Sequence, residues 1–334
     1  MNHSPKSLRL AALAVAAAST LALSACSGSS SDATGSSDAG GNDTAPVRVA
    51  VFPSFNALGA HAAEIEGAFD EQGLDVEFIT VATPAEGMPQ LLGGKVDMAL
   101  MDVTTPVIAR SEGVPVVMVA PGATGTELNE DGMGTGNFWV AKDSEMTSIK
   151  DLENSTFGIP QTKSQIWVDV RTAVDAAGGD SSKIQFVEVP NGIAAVKSGA
   201  VDVTTTAEPG GTAALADPDL KHLSGFVSGG VGEVAYTYVT SEQYASENPE
   251  TVDKFAEAIL DANEQLNETE GLAPQVAATY IDAPQELLDK AVYQQFGTEE
   301  IDADIVEQAI DRVLRYQLIE ADAVPAVDDL LAGK

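Results

Sequence analysis

The 334-residue chain predicts an α/β fold of two similar lobes facing each other across a cleft. Three observations predict it. A strand–loop–helix–strand block occurs twice. Each copy is followed by a Gly-x-Val-Asp run opening another strand, Gly94-Lys95-Val96-Asp97-Met98-Ala99-Leu100 and Gly199-Ala200-Val201-Asp202-Val203-Thr204-Thr205. The chain beyond Val234–Thr240 reads as helical. Two α/β lobes on one chain place a small-molecule crevice between them.

In chain order, Lys6 and Arg9 precede an apolar stretch, Leu10–Leu23, that is too short to span a bilayer. Leu23-Ser24-Ala25-Cys26 follows and resembles the bacterial lipobox, in which cleavage before the cysteine leaves a thiol for lipid modification. Cys26 is the only cysteine, so its use as an anchor leaves no thiol for a disulfide or for catalysis. Ser27–Ala45 holds six Ser, four Gly and three Asp and no large apolar residue, which predicts a flexible tether with a reach of roughly 25 Å. Residues 1–25 are thus expected to be a signal peptide and 26–45 an acylated cysteine plus tether.

The first block runs through a strand at Val47–Phe52, a loop at Pro53–Gly59, a helix at Ala60–Gln72 and a strand at Leu74–Val81. Val116–Ala120 and Asn137–Ala141 read as strands flanking a Gly-rich surface loop, Gly122–Gly136. The second block runs through Thr156–Pro160, Gln161–Ser164, Gln165–Ala177 and Lys183–Val189. Val234–Thr240 is a further strand. Asn248-Pro249-Glu250 predicts a helix start capped by Asn248, and Asp302 precedes a second periodic run through Ile305, Ala309, Val313 and Tyr316. Two crossings between lobes are expected, near Val140–Asp143 and Gly230–Ala235. They divide the chain into lobe I, 46–141 plus 234–334, and lobe II, 142–233, with closure about the crossings.

Composition narrows the function. With 17 basic and 51 acidic residues the formal charge is −34, a surface that repels nucleic acid and anionic headgroups. The acids are spread along helices, as at Asp253, Glu257, Asp261 and Glu264, and no block of like charge marks a tail. His61 and His222 are isolated, with no metal-ligand spacing and no triad partner. Gly93-Gly94-Lys95 lacks the spacing of a phosphate-binding P-loop, so any energy for transport must come from another chain.

The segments VRVAVFPSFNALGAHAA, LLGGKVDMALMDVTTP, DSEMTSIKDLENSTFGIPQTKSQ and AAVKSGAVDVTTTAEP, in that order and spacing, resemble the solute-binding proteins of the nitrate, sulfonate and taurine importers, a family that includes thiamine-pyrimidine binders. The resemblance implies a periplasmic-binding-protein-like type II fold. It further implies a lipid-anchored monomer outside the cytoplasmic membrane that captures a small polar molecule and delivers it to an ABC permease and its ATPase, with no cofactor, no metal and no catalytic residue. A sulfonate or taurine-like ligand is expected, with an aminopyrimidine, thiamine precursor or aromatic compound as the alternative. From another class, a chorismate dehydratase-like enzyme on the same fold remains open. A porphobilinogen-polymerising relative would need a cysteine-held cofactor. A receptor that signals or scavenges is not separable from a transporter at this level.

Four strand-to-helix loops are expected to converge on the cleft, since helix N-termini present unpaired N–H groups and the family's corresponding loops line its site. They are Ser54-Phe55-Asn56-Ala57, Asp102-Val103-Thr104-Thr105, Gln161-Thr162-Lys163-Ser164 and Ala207-Glu208-Pro209-Gly210. Candidate ligand contacts are therefore Ser54, Phe55, Asn56, Asp102, Thr104, Gln161, Thr162, Ser164 and Glu208. The hydroxyls serve equally as helix caps, Phe55 as a packed loop residue and Trp167 as core; Trp139 is open between the two. Lys163 is the only base among these loops, whereas Asp102 and Glu208 are acids on opposite lobes. Unless turn N–H groups satisfy them, these acids favour a ligand bearing an amine or other N–H groups and disfavour nitrate.

Overall fold

A computed structural model describes residues 46–333; the expected signal peptide, Cys26 anchor and tether lie outside the described residues. Twelve strands form two five-stranded sheets and one two-stranded ribbon. The first sheet contains β1 (Val47–Val51), β2 (Val76–Thr80), β3 (Met98–Asp102) and β4 (Val116–Pro121). The ribbon partner β5 (Ala123–Thr124) follows. The second sheet contains β6 (Gly136–Ala141), β7 (Thr156–Ile159), β8 (Gln185–Glu188), β9 (Val203–Ala207) and β10 (Leu220–Phe226). The chain then returns to the first sheet with β11 (Tyr236–Ser241), and β12 (Gln295–Phe296) pairs antiparallel with β5.

The repeat in the sequence is a repeat in space. The orders are β2-β1-β3-β11-β4 and β8-β7-β9-β6-β10. In each, the first three strands are parallel and the fourth runs antiparallel to its neighbours. The twice-occurring Val-Asp explains the register. The Asp97 carboxylate accepts from the Arg48 backbone N–H at 2.9 Å and holds the Arg48 guanidinium through Nη2 at 2.7 Å. Asp202 accepts from the Thr156 N–H at 2.7 Å. In both lobes this aspartate pins the start of the third strand to the start of the first, while the preceding valine is buried.

The sheet membership of β6 corrects the expected first crossing. The strand expected at Asn137–Ala141 ends lobe I in the sequence and leads into a crossing at Val140–Asp143. Instead β6 lies inside the second sheet, between β10 and β9. Phe138 and Val140 join the cluster with Phe157, Val170 and Val203, whereas Trp139 joins Met133, Val196 and Val201 on the other face. A strand buried on both faces reads as a continuous apolar run, and nothing in such a run says which sheet it enters. The crossing therefore precedes β6. The outgoing and returning segments lie side by side: Gly125 N–H donates to Glu233 O at 2.9 Å and Gly232 N–H to Gly125 O at 2.8 Å. The expected loop at Gly122–Gly136 also holds β5, whose two residues are buried.

Helices cover the sheets. The helix expected at Ala60–Gln72 is two pieces, Leu58–Ile65 and Ala68–Glu71, parted at Gly67, whose φ of 83° is a left-handed turn that suits glycine. The long helix Pro249–Glu268 buries Val252, Phe255, Ile259 and Leu266 against the first sheet. Asn248 does not cap it; its amide donates to Tyr244 O at 3.2 Å instead. Asp302 does cap Ala303–Arg315, accepting from Ile305 N–H at 3.0 Å. That last helix reaches the second lobe's helix Gln165–Ala176. Tyr316 meets Trp167 edge to face at 6.2 Å, and the Arg171 guanidinium sits between the two rings at 4.6 and 4.8 Å. Trp167 thus packs between helices, as the core reading had it.

Candidate functional site

The C-terminal ends of β1 and β9 open on a cleft of about 460 Å³, including its solvent-open part. One wall is Ser54, Phe55, Asn56, Tyr236 and Gln294. The facing wall is Ile166, Asp169, Thr205, Thr206, Glu208 and Ser228, with Thr135, Gly136, Ala207 and Phe226 at the margins.

The first wall is locked by its own contacts. Ser54 Oγ accepts from Asn56 N–H at 3.2 Å, and Ser54 O accepts from the Tyr280 hydroxyl at 2.9 Å. Phe55 stacks on Tyr293 with centroids 4.4 Å apart, which makes it a packed loop residue at the cleft's edge. Asn56 Oδ1 accepts from Gln294 Nε2 at 3.0 Å, and the Asn56 amide hydrogen-bonds the Tyr236 phenol, leaving its second N–H to donate. Burial, with the charges of Asp102 and Asp169 adding to it, raises the pKa of the Tyr236 phenol, so Tyr236 is a neutral hydroxyl. This side therefore offers donors.

The second wall offers acceptors. Glu208 follows β9 and is 4% exposed. Its Oε2 accepts from Thr212 N–H at 3.1 Å and its Oε1 from Asn137 Nδ2 at 3.4 Å. Burial pushes the carboxyl up, and those hydrogen bonds act against it. The Thr212 side chain bonds it as well, so of a carboxylate's roughly four acceptor positions about one remains open. Asp169 is equally buried and accepts from Gln165 Nε2 at 2.7 Å, Ser228 Oγ at 2.6 Å and Gly229 N–H at 3.0 Å. Burial raises its pKa to about 6, despite these donors and the Arg312 charge. Among the described residues lining the cleft, none is Lys, Arg or His.

Of the nine candidate contacts, the structure brings Ser54, Phe55, Asn56 and Glu208 together. Asp102, Thr104, Gln161, Thr162 and Ser164 stand outside the lining. Asp102 is folded onto the helix Thr104–Ser111: its oxygens accept from Thr104 N–H at 3.1 Å, Thr105 N–H at 2.9 Å and both threonine hydroxyls. This is the turn-satisfied carboxylate that the sequence left open, and Thr104 is its partner. Thr162 gives its N–H and hydroxyl to Glu188 Oε1 at 2.8 and 2.6 Å, which draws the 161–164 loop to the β8 edge. Ser164 Oγ donates to Gln161 O at 2.9 Å, and Lys163 is exposed.

Asp169, Thr205, Ser228, Tyr236 and Gln294 escaped the sequence reading. Asp169 is flanked by Val168 and Val170 on a helix with a clear apolar face and there looks like one more solvated acid. Its one local signal is Gln165, four residues earlier, placed to donate to it. Thr205 ends the repeated Gly-x-Val-Asp run, where the strand pattern alone does not single it out, and Ser228, Tyr236 and Gln294 come from strands and segments without a motif.

With the geometry defined, similarity adds the class. Residues 54–269 match the family described as NMT1/THI5 like; the chain belongs to that family, and its fold is the two-lobe periplasmic-binding-protein fold. It is 27% identical over 246 residues to the formylaminopyrimidine-binding protein of Halalkalibacterium halodurans, spanning 71% of this chain and 70% of that one. The fold is shared with the nitrate-binding protein NrtA of Synechocystis PCC 6803, with a TM-score of 0.70 and 14% identity, covering 86% of each chain. It is also shared with the aliphatic sulphonate-binding protein SsuA of Escherichia coli, with a TM-score of 0.63 and 16% identity, covering 86% of this chain and 94% of that one.

Proposed function

We propose that this protein is an extracytoplasmic solute-binding lipoprotein that captures a small molecule rich in N–H donors between its lobes and passes it to an ABC import permease driven by a separate ATPase. The observation that carries the reading is a cleft lined by two buried carboxylates, Asp169 and Glu208, with no cationic side chain among its described lining. A buried carboxylate that lacks a cation favours ligands supplying positive charge or hydrogen-bond donors. The opposite wall, with the Tyr236 hydroxyl and the Asn56 amide, suits an acceptor on the same molecule. An aminopyrimidine has both edges, a fit also supported by the printed name of the Halalkalibacterium relative. A sulfonate or nitrate would find no basic partner here, which moves the preference away from the sulfonate and taurine ligands first expected.

The protein acts in this reading as a binder without cofactor, anchored by Cys26 and monomeric, with no nucleic-acid partner. The test is thermal unfolding with formylaminopyrimidine, taurine, an alkanesulfonate and nitrate, since binding to the folded state raises the melting temperature by mass action. Formylaminopyrimidine is expected to give the largest shift. Calorimetric titration then compares wild type with Glu208→Gln. Loss of one charge-assisted hydrogen bond, about 1.5–3 kcal/mol, is roughly one to two decades in affinity. Unchanged affinity with the fold intact would assign Glu208 to holding the Thr212 turn and remove the reason for an amine-bearing ligand.

A further inference from the structure

Strand β9 carries three hydroxyls in a row, Thr204, Thr205 and Thr206, and two of them have partners inside the protein. Thr204 Oγ1 donates to Gly158 O at 2.9 Å. Thr206 Oγ1 accepts from the Trp139 indole N–H at 2.8 Å. Thr205 Oγ1 is buried and has no hydrogen-bond partner among the described residues. The residue is 8% exposed and lines the cleft.

Alternation along the strand puts Thr205 on the same face as Val203. Val203 packs with Val170 and Val174 of the helix that carries Asp169. Thr205 and Asp169 therefore share one side of the cleft, while Glu208 stands beyond the end of β9. A buried hydroxyl without a partner destabilises the empty protein, and a valine of the same shape would not. Its position accounts for it only if something entering the cleft supplies the missing bond.

We propose that Thr205 is a specificity-determining ligand contact. Its hydroxyl and the remaining acceptor position of Asp169 form a second polar subsite, so the cleft selects molecules with N–H groups at two separate edges, one for Glu208 and one for Thr205 and Asp169. A molecule with a single amine satisfies only one of the two. The assignment rests on the proposed function, because it takes the interlobe cleft as the ligand site.

Thr205→Val and Thr204→Val separate this role from a structural one. Each is melted without ligand and then titrated calorimetrically with formylaminopyrimidine. Thr205→Val is expected to melt at or above the wild-type temperature and to bind about three- to tenfold more weakly, the loss of one neutral hydrogen bond. Thr204→Val, which loses its bond to Gly158 O, is expected to melt lower and to bind like wild type. Thr205→Val melting below wild type would mean that the hydroxyl serves the fold, and wild-type affinity in that variant would mean that it does not touch the ligand; either result overturns the assignment. A wild type that takes up neither formylaminopyrimidine nor any other member of the panel overturns the capture reading itself, and this assignment with it. That outcome is distinct from a variant that binds unchanged.

Discussion

Asp169 is a buried carboxylate at the wall of the cleft, and its environment works in two directions. Removal from solvent favours the protonated form, whereas Ser228, Gly229 and Gln165 favour the ionised one; burial wins, at about 6 against an ordinary value of 3.8. Between those two values the folded protein binds more protons than the unfolded chain. Asp169 therefore contributes less stability as the pH rises through that window, and its contribution is constant above about pH 6. Asp169→Asn removes the titration. The stability of the variant relative to wild type is expected to rise between pH 4 and 7 by up to about 3 kcal/mol, about two units at 1.36 kcal/mol each. Denaturant unfolding of both proteins across that range checks it, and parallel curves would show that Asp169 titrates at its ordinary value in the fold.

At the scale of elements, the turn from β9 into the helix Gly210–Ala214 positions Glu208 through close approach. A Cβ added at Gly211 would lie 2.5 Å from Asn137 Nδ2 and 2.8 Å from Glu208 Oε1, too near for both to stay. Gly211→Ala is thus expected to displace the carboxylate and weaken capture of formylaminopyrimidine by about tenfold, the scale of one charge-assisted hydrogen bond. Titration against wild type measures it, and an unchanged affinity would show that Glu208 can move without consequence. The same turn shows what a sequence discloses. Glu208 was legible because strand, acid, proline and glycine are consecutive and their meaning is local. The two repeated blocks and the Val-Asp pins were legible for the same reason. The sheet chosen by β6 was not, because its neighbours β9 and β10 lie far along the chain and an apolar run pairs equally well with any of them. Asp102 and Glu208 looked alike in sequence, each an acid at the end of a strand. What separates them is that Thr104 and Thr105 saturate Asp102 with two N–H groups and two hydroxyls, whereas Glu208 is held by Thr212 and by a long contact to Asn137.

For the molecule as a whole, the two crossings lie side by side and are hydrogen-bonded at Gly125, Gly232 and Glu233, so rotation there leaves both sheets intact. Ligand is expected to close the lobes and reduce the radius of gyration in solution scattering; a tight ligand that leaves scattering unchanged would mean a rigid pocket. The anchor is tested by fractionation. Cys26→Ala is expected to move the protein from the membrane to the soluble fraction, and undiminished membrane association would exclude Cys26 as the anchor.

Sheet order also dictates a timetable for folding. The second sheet is built from one uninterrupted stretch, β6 to β10, whereas the first has a vacant place between β3 and β4 until β11 arrives more than a hundred residues after β4. A chain emerging from its N-terminus thus begins the first lobe early and completes it late, with β3 and β4 presenting bare edges to solvent while the second lobe is still being delivered. Such edges are templates for unwanted strand pairing. The inserted lobe, able to finish its sheet from its own residues, is the natural first folding unit. The return strand completes the first sheet, so a product truncated before Tyr236 lacks β11 and, with Tyr236 and Gln294, part of the wall that faces Glu208.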